Sequence, residues 1–567
     1  MRKAKAWKRM NGKRWAAMWD FRAALSAVVV LIALFLTACS GGMSGRAMPT
    51  LPPTPTAVPH ATPTAVPAPE VEPPAAVDWN DVGLFRRAMR PAFAGDVDAF
   101  ASRNRYVIEA TVELTDVAAI YGAERVRYTN RSADTLSEIV FRLYPNLDAY
   151  SGQMNITGVT VNGEPVIVRF EDRRSVMVVP LVEPLAPQES VELTVGFNSA
   201  IEKGFAANYG EYSYQQGIFA APQWYPALSV YEEGRGWWTG RSPLQGDPSY
   251  METGLYDVRV TAAEDMTIVL SGSEIGATTN GDGTVTHHVV SGPMRDSILI
   301  ASRELGRVSG ETDGITVNVY YWNDEQAVHN ERTARAGLQM TIDSLDVFNR
   351  VFGQYPFAEF DVVQTDTNAG GIEYPGLIVV ADNYWDTGDS FFEVVIAHET
   401  AHQWWYSLVG NNQVEQPFVD ESLTSFCEYV YFWETAQTPR EIEDAEDYVR
   451  GDQAWYNTYV GQGNPNLPLG LPVASYAERA YVMIIYTKGP LFFNEITDTI
   501  GREQLYAVLQ EYFRRYRYEV ATIGDILAVF EDVTGQQWDA FFYEWVGSFP
   551  GLDTNVIPTV NAMQQGG

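Results

Sequence analysis

The sequence predicts a multidomain α+β protein, a β-rich N-terminal domain followed by a mainly helical one, and three observations carry this. Between residues 104 and 305 apolar and polar residues alternate in short runs, the period of half-buried strands. After residue 325 the apolar positions recur every three or four residues, the period of helices. With 567 residues, 46% of them apolar, the chain has material for two or three packed domains.

Residues 1–38 read as an address rather than as part of the fold. Eight Lys or Arg against one Asp precede residue 39, and the apolar run Ala23 to Leu36 follows. That run is shorter than the roughly 20 residues that span a bilayer and fits the core of a signal peptide. It ends in Leu36-Thr37-Ala38-Cys39, which resembles the lipobox of bacterial lipoproteins. The resemblance implies a lipidated Cys39 as mature N-terminus and an extracytoplasmic protein anchored to a bacterial membrane. From 39 to 103 a Pro/Thr-rich spacer is expected, clearest in Pro52-Pro53-Thr54-Pro55-Thr56, a composition that cannot bury a core. The other cysteine, Cys427, is then left without a disulfide partner and is expected as a small buried residue.

The β-rich domain is expected over 104–320. Tyr106 to Leu114, Val191 to Phe197 and Tyr256 to Val260 are its clearest runs, with Ile315 to Tyr320 just beyond, and Asn162-Gly163 and Asn280-Gly281-Asp282-Gly283 mark turns. The helical domain is expected over 321–549, with a tail from 550 to 567. Leu338, Ile342, Leu345, Phe348 and Phe352 form one stripe, closed by Gly353; Leu505, Val508, Leu509, Tyr512 and Tyr516 form another; Thr522 with Asp525 reads as the start of a third helix.

Charge narrows the function. The net charge of −33 becomes −40 once residues 1–38 are removed, which argues against nucleic acid or anionic lipid as a partner and favours solubility, with some attraction for cationic peptides.

The chemistry concentrates at His398-Glu399-Thr400-Ala401-His402. Four residues is close to one helical turn, so both imidazoles leave one face and can share a metal, while Glu399 sits about 100° round the helix, beside the metal. The apolar Val394 to Ala397 supplies the buried helix, and the remaining histidines, His60, His287, His288 and His329, are scattered. A catalytic zinc needs a third protein ligand and an open position. A histidine at 408 would supply one pattern, but that residue is Leu408. Glu421, separated from His402 by eighteen intervening residues, fits a second helix facing the same ion; Asp420 is its rival, and Glu415 and Glu428 are weaker ones.

H-E-x-x-H, eighteen residues, then Glu resembles the aminopeptidase N and leukotriene hydrolase family of gluzincin zinc metallopeptidases. Gly370-Gly371-Ile372-Glu373-Tyr374 is similar to the family's G-x-M-E-N exopeptidase motif, and Tyr486-Thr487-Lys488-Gly489 to its Y-x-K-G segment. Trp224-Tyr225-Pro226 and Gly246-Asp247 extend the likeness into the β-rich region, so that it runs from about residue 104 to 547. The resemblance implies a thermolysin-like catalytic domain holding one zinc per chain through His398, His402 and Glu421, with Glu399 as general base and Tyr486 as donor to the oxyanion. It also implies that Glu373 binds the free α-ammonium of a peptide, with Gly370 and Gly371 letting substrate backbone approach. Tyr374 stands where the family has Asn, and Ile372 where it has Met. The family's long helical C-terminal domain is not expected in the residues after Trp545. An endopeptidase, or a surface-anchored binding protein that does not turn over, are the other readings; a binding protein would have no need of a general base.

Overall fold

Ten-residue strands begin as soon as the alternating pattern does. The computed structural model describes residues 77–556 except 151, 207 and 208; the expected signal peptide, Cys39, the spacer up to residue 76 and the tail from 557 lie outside the described residues. Three short 3₁₀ turns, Gly83–Ala88, Pro91–Phe93 and Asp96–Phe100, occupy the last part of the expected spacer. They bury Phe85, Val97 and Phe100, so structure begins before residue 104. Arg105 ties this segment down by donating to the carbonyls of Asp78 (3.1 Å) and Asp81 (2.8 Å).

The β-rich layer is built on an eight-stranded sheet. The hairpin Arg105–Leu114 and Val117–Thr129 lies at its centre, flanked by Leu255–Ala263 on one side and Ser190–Glu202 on the other. The strands Arg105–Leu114 and Leu255–Ala263 run parallel, and the other pairs of this sheet are antiparallel. Alternate residues such as Ile108, Ala110 and Val112 are buried, as period-two strands with one inner face require. Their core also gathers Phe141, Val179, Trp224 and Tyr256 from outside the central hairpin.

The change of layer comes earlier than the expected boundary at 320, which falls inside the strand Ile315–Trp322. That strand pairs antiparallel with Leu305–Thr312 and parallel with Glu359–Thr365, which in turn pairs parallel with Leu377–Ala381; Gly371–Ile372 closes the edge. The helix α1 (Ala327–Val351) makes the crossover between the parallel strands. Sequence periodicity could not show this, because a strand at 315–322 reads alike whichever sheet receives it. The expected stripe of α1 packs on the sheet, Leu338 and Ile342 lying against Gly310. A second face of small residues, Ala334, Gly337, Thr341 and Ser344, is also buried. There a Cβ on Gly337 would stand 3.1 Å from Phe392 and 3.3 Å from Ile396 of α2 (Phe391–Ala401), so the small side chains admit the helix that carries the histidines.

Three further helices complete what matters for the site: α3 (Leu423–Thr435), α4 (Pro439–Gly461) and α5 (Gly489–Ile500). Helices Arg502–Tyr516 and Ile523–Thr534 follow where expected, the latter opened by the Thr522/Asp525 capping box. Cys427 is fully buried on α3 and accepts a hydrogen bond from the Trp405 indole at 3.2 Å. No helix among the described residues is long and apolar enough to cross a membrane.

Candidate active site

Helix α2 is buried along nearly its whole length, from Phe392 and Val394 to Ala401, which marks a helix enclosed by protein. At its end the Nε2 atoms of His398 and His402 face each other at 3.2 Å. Glu421 Oε2 lies 3.4 Å from the first and 3.3 Å from the second. Each imidazole is held from behind. His398 Nδ1 donates to Glu428 Oε1 at 2.9 Å, and Glu428 in turn accepts from the Tyr448 hydroxyl of α4. His402 Nδ1 donates to the Trp405 carbonyl at 3.0 Å, with the Thr424 hydroxyl 3.1 Å away. Protons on both Nδ1 atoms leave both Nε2 lone pairs facing Glu421.

Three electron-pair donors 3.2–3.4 Å apart match a tetrahedral zinc, whose bonds of about 2.0–2.1 Å set ligand atoms roughly 3.3–3.4 Å from one another. The electrostatics agree. Burial alone would lower the pKa of His402, yet the Glu373 and Glu421 carboxylates raise it to about 9. Burial would raise that of Glu421, yet His402 and His398 hold it well below the usual carboxylate range. The cluster thus calls for positive charge. Of the rival carboxylates, Asp420 accepts the Glu421 backbone N–H at 2.8 Å, Glu428 orients His398, and Glu415 pairs with Arg235 at 3.2 Å.

Glu399 is buried beside the triad, one of its oxygens within 4.8 Å of ligand atoms of Glu373 and His402. Burial pushes its pKa to about 8 against the pull of the two imidazoles, and a dication in the triad would lower it again. The glycine pattern upstream has a steric reason on this side: a Cβ on Gly371 would stand 2.5 Å from the Glu399 side chain. Gly370 precedes it at the sheet edge, its carbonyl accepting from the Ala381 amide at 3.0 Å.

Glu373 is also buried, and Gln413 Nε2 donates to its Oε1 at 2.7 Å. Gln403, just past α2, clamps the same turn by donating to the Tyr374 carbonyl (3.0 Å) and accepting from the Gly376 amide (2.8 Å). The departing residue Tyr374 packs its ring into a core with Ile218, Ile300 and Leu377. Two acids that the spacing could not reveal join this corner. Asp247 has an oxygen within 4.8 Å of Glu373 and Glu421 oxygens, and the neighbouring Gly246 presses a left-handed backbone (φ +71°) against Tyr481. Glu211 is 3% exposed, and burial pushes its pKa to about 8 despite a hydrogen bond from Tyr150. Both come from the β-rich layer, far from the motif in sequence.

Glu421 and Tyr486 share an unusual support, since each lies on a π-helical turn, Phe418–Ser422 and Val482–Lys488. The wider winding frees the Ile485 carbonyl, which accepts from the Ser422 hydroxyl at 2.8 Å. The close approach depends on Gly489, where a Cβ would stand 2.1 Å from Ser422 Oγ, a steric reason for the glycine of the Y-x-K-G segment. Tyr486 lies half-buried, its ring 6.1 Å from that of His398. Burial and then the Glu421 charge raise its pKa well above that of a free phenol, so its proton stays on.

Comparison with known proteins gives one answer throughout. Residues 336–545 match the peptidase family M1 domain. The chain is 23% identical over 368 residues to aminopeptidase N of Haemonchus contortus, covering 62% of this chain and 36% of that one. It is 25% identical over 289 residues to aminopeptidase N of Lactococcus lactis, with 46% and 32% covered. The chain thus spans about a third of the length of these curated relatives. Among solved structures, an M1 zinc metallopeptidase from Deinococcus radiodurans superposes with a TM-score of 0.58 at 18% identity, covering 79% of this chain and 94% of that one. A Glu-to-Ala mutant of that enzyme, solved with a Tyr-Ser-Ala substrate, gives a TM-score of 0.59, at 18% identity and with 80% and 96% covered. The resemblance read from four ordered motifs is thus supported: residues 336–545 carry a peptidase family M1 domain, the chain is similar in sequence to aminopeptidases N, and its fold is that of an M1 zinc metallopeptidase.

Proposed function

We propose that the chain is a zinc-dependent aminopeptidase that removes N-terminal residues from peptides, with one zinc held by His398, His402 and Glu421. The observation that carries the exopeptidase reading is the acidic corner beside the metal triad, where oxygens of Asp247, Glu373 and Glu421 lie within 4.8 Å of one another. An ammonium that donates three hydrogen bonds of about 2.8 Å wants acceptors roughly 4.6 Å apart. A free α-amine fits this corner.

When bound, zinc lowers the pKa of a water toward neutrality and polarises the scissile carbonyl. Glu399 takes the proton of that water and later passes it to the leaving amine. Tyr486, kept protonated, donates to the oxygen on which charge develops. Glu373, fixed by Gln413, sets the register by gripping the amine, so the bond presented to Glu399 is the first one.

Hydrolysis of a free peptide and its N-acetylated form tests the reading. The free peptide is cut and the acetylated one resists, since acetylation removes a charge-assisted hydrogen bond worth roughly 1.5–3 kcal/mol. Glu373→Ala erases most of the difference by slowing the free peptide, with zinc content unchanged. Equal cleavage of both by the wild-type protein, or internal cuts first, establishes an endopeptidase instead.

We also propose that the protein works outside the cytoplasm, tethered to a bacterial membrane by a lipid on Cys39. The apolar run ending in Leu36-Thr37-Ala38-Cys39 and the Pro/Thr-rich stretch after it support this. Cys39→Ser shifts the protein from the membrane fraction to the soluble one; retention in the membrane fraction would mean an uncleaved hydrophobic anchor.

A further inference from the structure

Just past the metal-site helix, the chain passes through Tyr406 at φ +118°, a conformation that glycine adopts freely and a tyrosine does not. Both sides of this residue are pinned. Its N–H donates to the Val409 carbonyl at 2.8 Å, and its own carbonyl accepts from Arg295 Nε at 2.8 Å. Arg295 belongs to the β-rich layer and is 1% exposed. It also donates to the carbonyls of Met251 (3.0 Å), Leu408 (3.4 Å) and Glu519. Burial lowers its pKa to about 10, so the guanidinium stays charged at neutrality.

The base of this clamp is rigid. The adjacent Asp296 accepts from the Tyr225 hydroxyl (2.8 Å), the Ser297 amide (2.7 Å) and Gln223, and the Trp224 indole donates to the Ser297 carbonyl at 2.8 Å. On the other side Gly410 makes room, since a Cβ there would stand 2.1 Å from the guanidinium carbon.

The peptide plane between Trp405 and Tyr406 joins the clamp to the metal triad. One end is the Tyr406 N–H; the other is the Trp405 carbonyl that accepts from His402 Nδ1 at 3.0 Å. A carbonyl can only accept, so it fixes the proton on Nδ1 and leaves Nε2 free for the metal. The Thr424 hydroxyl, 3.1 Å from the same nitrogen, can either accept or donate. If the carbonyl swings away, the hydroxyl can donate to Nδ1, and the proton then moves to Nε2, where it blocks the metal.

We propose that Arg295 is a positioning residue for His402: by holding Tyr406 in its left-handed conformation it aims the Trp405 carbonyl and so selects the imidazole tautomer that can bind zinc. The inference rests on the zinc reading above. It gives the β-rich layer a part in metal retention.

The test follows zinc release from the full chain to a chelator, beside thermal unfolding of the metal-free proteins. Arg295→Lys keeps a charge but cannot reach four carbonyls with one ammonium, and Gly410→Ala displaces the guanidinium from the other side. Both release zinc about 10- to 100-fold faster than wild type, and the visible bands of the cobalt-substituted proteins shift. Thr424→Val added to Arg295→Lys slows release again, because the competing donor is gone. Wild-type release rates in Arg295→Lys or in Gly410→Ala overturn the proposal, whatever the unfolding temperatures. Faster release with unmoved cobalt bands and no effect of Thr424→Val also overturns it, as that is general loosening. A wild-type protein that binds no zinc would instead remove the metal reading itself.

Discussion

Glu399→Gln keeps its zinc and loses about 10² to 10⁴ in turnover, the range typical for a general base. The amide has nearly the shape of the carboxylate, so the packing against Gly371, where a Cβ would stand 2.5 Å from Glu399, is retained. It cannot accept the proton of the attacking water. Glu399 is outside the triad formed by His398, His402 and Glu421, so metal analysis returns the wild-type stoichiometry. The rate loss corresponds to roughly 2.7–5.5 kcal/mol of barrier. Single-turnover measurement with a free peptide locates it in the chemical step. Activity within a few-fold of wild type would remove Glu399 from the mechanism.

Glu421→Ala weakens zinc binding by more than the roughly 10- to 100-fold seen for residues that merely orient a ligand. Two imidazoles alone leave a tetrahedral site short of a protein ligand, and neither Asp420 nor Glu428 is placed to replace Glu421. Asp420 already accepts the Glu421 amide at 2.8 Å, and Glu428 faces the far nitrogen of His398 at 2.9 Å. The same variant loses the stabilisation that zinc gives the folded state by mass action, so its melting temperature no longer rises on adding the metal. Chelator competition measures the affinity, and Asp420→Asn, which keeps an acceptor for the amide, serves as the control that retains zinc. Equal affinity in Glu421→Ala and wild type would exclude Glu421 as a ligand.

The features legible in the sequence are those set by local geometry. His398 and His402 face one way because four residues make about one helical turn. Thr522 and Asp525 form the reciprocal capping pair that their spacing implies, and the buried alternation of Ile108, Ala110 and Val112 follows from the pleat. The features that escaped are set by contacts between distant segments. Asp247 and Glu211 reach the acidic corner from the β-rich layer; Asp247 is visible in the sequence only as part of the Gly246-Asp247 likeness, without a role, and nothing in its local spacing marks Glu211. Glu428 reads as a possible ligand because a ligating acid and an orienting acid look alike in a sequence; only the direction of His398 Nδ1 separates the roles. The expected boundary near 320 falls inside the strand Ile315–Trp322, because alternation identifies a strand but not its sheet. The Trp224-Tyr225-Pro226 motif was visible as a likeness, and its work, anchoring Asp296 and Ser297 beside Arg295, became visible only in three dimensions.

The paired π-helical turns bear on how such a site persists through descent. A π turn holds one residue more than the α-helical winding around it and is costlier locally. Removing one residue from Phe418–Ser422 or from Val482–Lys488 would restore regular winding and rotate the following side chains by about 100°. That would turn Glu421 or Tyr486 away from the histidines while leaving the surrounding helices comfortable. Because Ser422 and Gly489 interlock the two turns, neither can relax without disturbing the other, and the extra residue in each is guarded by its neighbour.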